Sequence, residues 1–359
     1  MHRPNLDGPP LFKSRCSRQA LSEPTQRGPV GASIGCGRWQ THFAVVWVIL
    51  PLMAAYWIIF SFIALGLALQ QWQRLPSSTA QWLNQLAIYV CLPALVLIHV
   101  PTLEPTHSLL PLVVVPWALL AVTFLLVWPV ARWFGWSREV VAVLLVLLPL
   151  GNTSFLGFPL VEALLGSTAL PLAVVYDQFG SFLMVCTHVL FVVAWFGQGS
   201  NPSVGGMASQ MLRFPPFVAL VIALAFGHDW LGAWGWAVAE LLAAALLPIV
   251  TVAIGLSLKW RLPAEHYPAL LFGVIAKLLI LPLAALAILI ATSHVLDIDP
   301  LVGRVALLEA AMPSMITASA LLIRAKLAPD LASAVVTWTV VLSVATVPLW
   351  HHVGGLIWG

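Results

Sequence analysis

Residues 151–160 read GNTSFLGFPL and follow the apolar run VVAVLLVLLPL at 140–150. Together they are long enough to cross a bilayer as one helix, because about 20 residues span the hydrocarbon core. Yet Gly151, Asn152, Thr153, Ser154, Gly157 and Pro159 fall in the middle of the segment. Proline lacks an N–H and its ring clashes with the preceding turn, while glycine lets the chain leave helical geometry. The stretch therefore predicts a helix interrupted at membrane depth. Such an interruption survives only where protein or a wet cavity shields the freed backbone groups. It exposes one half-helix end with free N–H groups, which attracts anions, and another with free C=O groups, which attracts cations. Asn152, Thr153 and Ser154 add uncharged donors and acceptors beside those ends.

The rest of the chain has the same character. Of 359 residues, 61% are hydrophobic and only 8% charged, and the mean hydropathy is +0.98, whereas soluble domains carry about 25% charged residues. The fold class is therefore an all-α polytopic membrane protein. Apolar spans are predicted near 43–70, 81–99, 108–131, 139–165 and 168–196, then near 214–229, 233–258, 267–292, 303–323 and 331–350. An odd number of crossings in each half turns the second half upside down, which predicts ten transmembrane helices in two inverted five-helix repeats. The expected organisation is a polar basic leader at 1–42, a first repeat at 43–196, a Gly- and Ser-rich linker at 197–213, a second repeat at 214–350 and a tail at 351–359. Prolines support the repeat. The second span of each half holds Pro93 or Pro248 and the fourth holds Pro159 or Pro313, with spacings of 66 residues in the first half and 65 in the second.

Basic residues in short loops set orientation. Arg74, Arg132, Arg138, Arg213, Lys259, Arg261, Arg324 and Lys326 fall on one side and only Arg304 on the other, so the first side is expected to be cytoplasmic and both termini outside. The leader opposes this with Arg3, Lys13, Arg15, Arg18, Arg27 and Arg38; the loop bias is repeated along the chain and outweighs it. The net charge of +3 comes from that leader, so no nucleic-acid partner is expected. Four scattered cysteines give no disulfide or metal framework.

The partner of the first break is EAAMPSMITASAL at 309–321, where Pro313 is followed by Ser314, Thr317 and Ser319. A pseudo-twofold axis would cross the fourth and ninth helices there, and small residues on both permit close approach. The hydroxyls serve equally well as helix-packing groups. Lys277 lies about ten residues into its span, or about 15 Å deep, and calls for a protein partner or an anionic substrate. Asp177, in VVYDQFGSF, is the candidate coupling carboxylate for H+ or Na+, and Glu309 can pair with Lys277 or take a proton. His188 reads as a buried, satisfied histidine, and Glu162 as an interfacial residue.

The pattern N-T-x-x-x-G-x-P-L from Asn152, with A-A-x-P-S at 310–314, the P-A-L at Pro93 and I-G-L-S-L after Pro248, resembles the auxin efflux carrier family over residues 43–350. The resemblance implies ten helices with the fourth and ninth broken and crossing at the substrate site, and it maps Asn152, Pro159 and Pro313 onto that site. It implies small organic anions as substrates: auxin in plants, and carboxylates such as malonate or malate in bacteria. The short linker here looks like the bacterial form rather than the long-loop plant carriers.

The reading is a secondary transporter for a small organic anion working by alternating access in the inner membrane, not an enzyme. Asn152, Thr153, Ser154, Gly157, Pro159, Pro313, Ser314, Thr317 and Lys277 are expected to bind substrate, with Asp177 and Glu309 coupling an ion. No cofactor is expected; membrane lipid is a partner and a homodimer is left open. A sodium symporter of bile-acid-like organic acids is the alternative with the same architecture. An intramembrane hydrolase would rest on Ser181 and His188, which lie about 10 Å apart along one helix. GASIG at 31–35 fits a nucleophile-elbow pattern but has no strand before it. The pair His351 and His352 reads as interfacial rather than metal-binding.

Overall fold

The computed structural model describes residues 58–72, 75–76, 78–102, 109–197, 212–227, 230–258, 260 and 263–359. All belong to one compact unit, Leu52–Gly359; the other unit, Met1–Pro51, holds the expected leader and lies outside the described residues, as does most of the expected linker. Twelve helices are described: α1 (Ile58–Gln71), α2 (Thr79–His99), α3 (Leu110–Phe134), α4 (Arg138–Leu147), α5 (Thr153–Leu165), α6 (Ser167–Phe196), α7 (Pro215–Phe226), α8 (Gly232–Ser257), α9 (Ala264–Ser293), α10 (Pro300–Ala310), α11 (Ile316–Arg324) and α12 (Pro329–Trp358). Six of them, α2, α3, α6, α8, α9 and α12, are long and apolar enough to cross a membrane. Among the described residues there is no strand. Large apolar side chains are exposed all around the outside, Leu125, Leu241, Leu271 and Trp133 among them, on a scale that soluble monomers avoid. The protein is an all-helical, polytopic membrane protein.

Three prolines inside helices share a local device. Pro93, Pro159 and Pro282 each lie two residues beyond a π turn, at Ala87–Cys91, Thr153–Gly157 and Ala276–Ile280. A π turn widens the ladder just where the proline ring would strike the preceding turn and where its missing N–H would leave a gap. Pro159 therefore widens its helix rather than breaking it. The break falls at Leu148–Asn152, where Pro149 and Gly151 end α4, and the sequence reading that assigned it to Pro159 is corrected here. Pro313, by contrast, does lie within the gap between α10 and α11. The last helix also corrects the expected tail, because α12 runs through His351 and His352 to Trp358 despite Pro348 in its interior.

Packing follows the small residues. The backbones of α1 and α8 touch at Gly66 and Gly255, where a Cβ on Gly66 would lie 2.9 Å from the Gly255 Cα. Gln70 of α1 donates to the carbonyls of Leu256 and Leu258 at 3.0 Å each. The start of α2 packs on the end of α8, and the end of α2 on the start of α8, so the two run antiparallel; α7 also lies on α2. The remaining helices pack among themselves, with α3 and α9 against α10, and α12 against α4, α9, α10 and α11.

Candidate functional site

Helix α4 starts with an ordinary cap: the Ser137 side chain accepts from the Val140 N–H at 3.4 Å. Helix α10 does likewise, with Asp299 accepting from Leu301 at 2.8 Å and Val302 at 3.4 Å. The inner helices do not. Neither Asn152 before α5 nor Met315 before α11 offers a side-chain cap. The N–H groups of a first helical turn have no carbonyl within the helix to bond.

What holds these inner ends in place is the contact between the two gaps. Gly151 and Ser314 face each other in an antiparallel bridge. The Asn152 N–H donates to the Pro313 carbonyl at 2.7 Å, and the Met315 N–H donates to the Leu150 carbonyl at 3.1 Å. The Ser314 hydroxyl donates to the Leu147 carbonyl at 2.9 Å, and the Ser314 N–H donates to Thr339 Oγ1 of α12 at 3.1 Å. Gly151 packs closely there: a Cβ would lie 3.2 Å from the Glu309 carbonyl. The two interrupted segments thus meet inside the protein and satisfy each other's backbone, as buried polar groups require.

A cavity of about 140 Å³ opens beside the crossing. Asn152, Ser154 and Phe155 of the α5 start and Met315 and Thr317 of the α11 start line it, facing Asp177 and Gln178 of α6. Ile88, Leu92, Phe182, Val185, Cys186 and Phe214 complete an apolar wall. Both helix N-termini therefore deliver residues to one small space, and the partial positive charge of each favours an anion there. Asn152 is 2% exposed, and its side-chain amide nitrogen has no partner among the described residues.

Asp177 opens a π turn in α6, a feature frequent at functional sites. Its Oδ1 accepts from Thr153 and Ser154, each at 2.5 Å, and its Oδ2 accepts from Gln178 Nε2 at 2.9 Å. The Gln178 carbonyl oxygen then points elsewhere and, like the Asn152 amide nitrogen, is buried without a partner. Gln178, Phe182 and Phe214 were missed by the sequence reading. For Gln178 the signal existed, as an uncharged amide beside an aspartate in an apolar span.

Other expected site residues sit outside the lining. Lys277 is 1% exposed, in the π turn of α9, and has Glu309 within electrostatic reach. It does not line the cavity, where it was expected as a direct substrate contact. Glu309 is also 1% exposed and within reach of Asp177; both its carboxylate oxygens lack a hydrogen-bond partner among the described residues. That carboxylate rests against Gly157, where a Cβ would stand 2.8 Å from Oε1. Pro159 lines a different hollow, with Glu162 and Glu240. His188 faces the Leu145 carbonyl at 3.0 Å, the satisfied buried histidine expected. No group of three potential metal ligands is present among the described residues.

A family model described as membrane transport protein matches residues 51–203 and 206–351. An uncharacterized transporter from Methanothermobacter thermautotrophicus is 27% identical over 308 residues, covering 81% of this chain and 94% of its own. An uncharacterized transporter from Methanocaldococcus jannaschii is 24% identical over 248 residues, or 66% of this chain and 77% of its own. The chain belongs to the membrane transport protein family, that of the auxin efflux carriers.

Proposed function

We propose that the protein is a secondary active transporter that carries a small organic anion, a carboxylate, across the bacterial inner membrane by alternating access at the crossing of its two broken helices. The observation that carries this reading is the convergence of two uncapped helix N-termini and the unpartnered Asn152 amide on one cavity. The cavity compares with the ~150 Å³ that holds a benzene molecule, so the solute is small. Ten crossings in two inverted repeats are part of the proposal. The reciprocal bonds of the bridge, the breaks in the fourth and ninth segments and the antiparallel run of α2 with α8 support it. Both termini are then outside, following the basic loops.

Coupling to H+ or Na+ by the buried carboxylates Asp177 and Glu309 follows from electrostatics. An anion about 6 Å from an ionised carboxylate is opposed by about 3 kcal/mol at an effective dielectric of 20. A cation bound with the solute offsets that repulsion. The deciding experiment is uptake of radiolabelled carboxylates into liposomes holding the purified protein, under separately imposed sodium, proton and voltage gradients. Accumulation of an unchanged solute that collapses in Asn152→Ala supports the proposal. Uptake indifferent to that substitution removes Asn152 from the site, and chemical conversion of the solute points to an enzyme instead.

A further inference from the structure

The cavity lining is of two kinds. Donors come from the starts of α5 and α11, which line it, and from the Asn152 amide nitrogen, which is buried and unpartnered. Acceptors come from α6. The Asp177 carboxylate has four lone-pair sites and uses three on Thr153, Ser154 and Gln178. Because a carboxylate accepts, the Gln178 amide must turn its nitrogen toward Asp177 and its oxygen away. That oxygen is buried without a partner on a residue that lines the cavity and is 2% exposed. A bare carboxylate would satisfy the donors only and leave these acceptors unmatched in a dry space, which is costly.

Ser154 bounds the distance between the two. It belongs to the first turn of α5, and its hydroxyl donates to Asp177 Oδ1 at 2.5 Å. Its own N–H therefore lies within about 6 Å of that oxygen, the reach of a short side chain plus one hydrogen bond. A solute whose carboxylate sits on the helix end has its next atom or two opposite Asp177 and Gln178. Building on the carboxylate reading above, we infer that the site selects a monocarboxylate bearing a hydrogen-bond donor on the carbon next to the carboxyl, that is, an α-hydroxy or α-amino acid. Phe155, Phe182, Val185 and Phe214 receive the apolar remainder of the molecule. A dicarboxylate fits the space but sets its second charge against Asp177.

The test is binding by the purified full-length protein of four acids of nearly equal size: propionate, lactate, alanine and malonate, each with and without sodium. Lactate or alanine should bind at least about tenfold more tightly than both propionate and malonate, as expected when a site built for a donor meets an analogue lacking it. The stronger of the two identifies the donor as hydroxyl or ammonium. In Asp177→Asn, and independently in Gln178→Met, that preference should shrink by about tenfold. The second variant decides the matter if the first does not fold. Malonate or propionate binding as tightly as lactate and alanine overturns the inference. So does malonate reaching that strength only with sodium, which would give Asp177 to a cation. Absence of binding by all four acids defeats the carboxylate reading itself, a failure distinct from a wrong preference.

Discussion

Gly157→Ala tests the packing behind the crossing through its sign. In the interior of a helix this exchange ordinarily stabilises by about 0.5–1 kcal/mol, because glycine loses more backbone freedom on folding. Here the new methyl carbon would stand 2.8 Å from Glu309 Oε1 and 2.9 Å from its Cδ. The carboxylate ends a flexible side chain, but it is 1% exposed, and moving it separates it from Lys277 or pushes on packed neighbours. Overpacking of this kind costs about 1–3 kcal/mol, which exceeds the backbone gain. The net effect should be a loss of about 1–2 kcal/mol. In a Glu309→Ala background the obstacle is gone, and the same exchange should become neutral or stabilising by up to about 1 kcal/mol. Unfolding midpoints of the four proteins in one detergent give the cycle, with an expected coupling above about 1 kcal/mol. Additive effects, or a stabilising Gly157→Ala with Glu309 present, would refute the placement of that carboxylate.

Lys277→Met should cost about 3–5 kcal/mol, as when one partner of a buried pair is removed, and adding Glu309→Gln should recover most of it; a double variant no more stable than Lys277→Met alone would argue against the pairing. Asn152→Ala should lose uptake in liposomes while inserting and folding normally, so near-normal uptake would exclude it from the solute site. Gly66→Val should separate α1 from α8, since the added atoms meet backbone rather than flexible side chains; an unchanged thermal midpoint would be inconsistent with this crossing. Thr339→Val removes the acceptor of the buried Ser314 N–H and should cost about 1–3 kcal/mol, read in the same thermal assay.

Much of the site was legible because polar residues in hydrocarbon need a reason. Asn152, Ser154, Asp177 and Thr317 stood out against apolar surroundings, and all four line the cavity. Thr153 stood out too, though it serves behind the lining as a donor to Asp177. The location of the break was misread because Pro159 and Pro149 look alike in sequence. Which proline ends a helix and which is absorbed by a π turn depends on what packs around each. Lys277 was recognised as buried, but not which charge it lies near, since Glu309 is 32 residues away in sequence, on another helix.

The sequence by itself determined a membrane-embedded helical bundle, because hydropathy and length are local properties and the bilayer imposes one solution on backbone polarity. It also determined that two segments are interrupted. Only the tertiary structure decided that the interruptions pair through Gly151 and Ser314, that Asp177 is held by three donors, and that Glu309 lies on Gly157. Apart from the Gln178 bond to its neighbour Asp177, those contacts join residues from different segments of the chain. Their meeting depends on how helices cross, and that is set by packing over the whole bundle rather than by any stretch of chain.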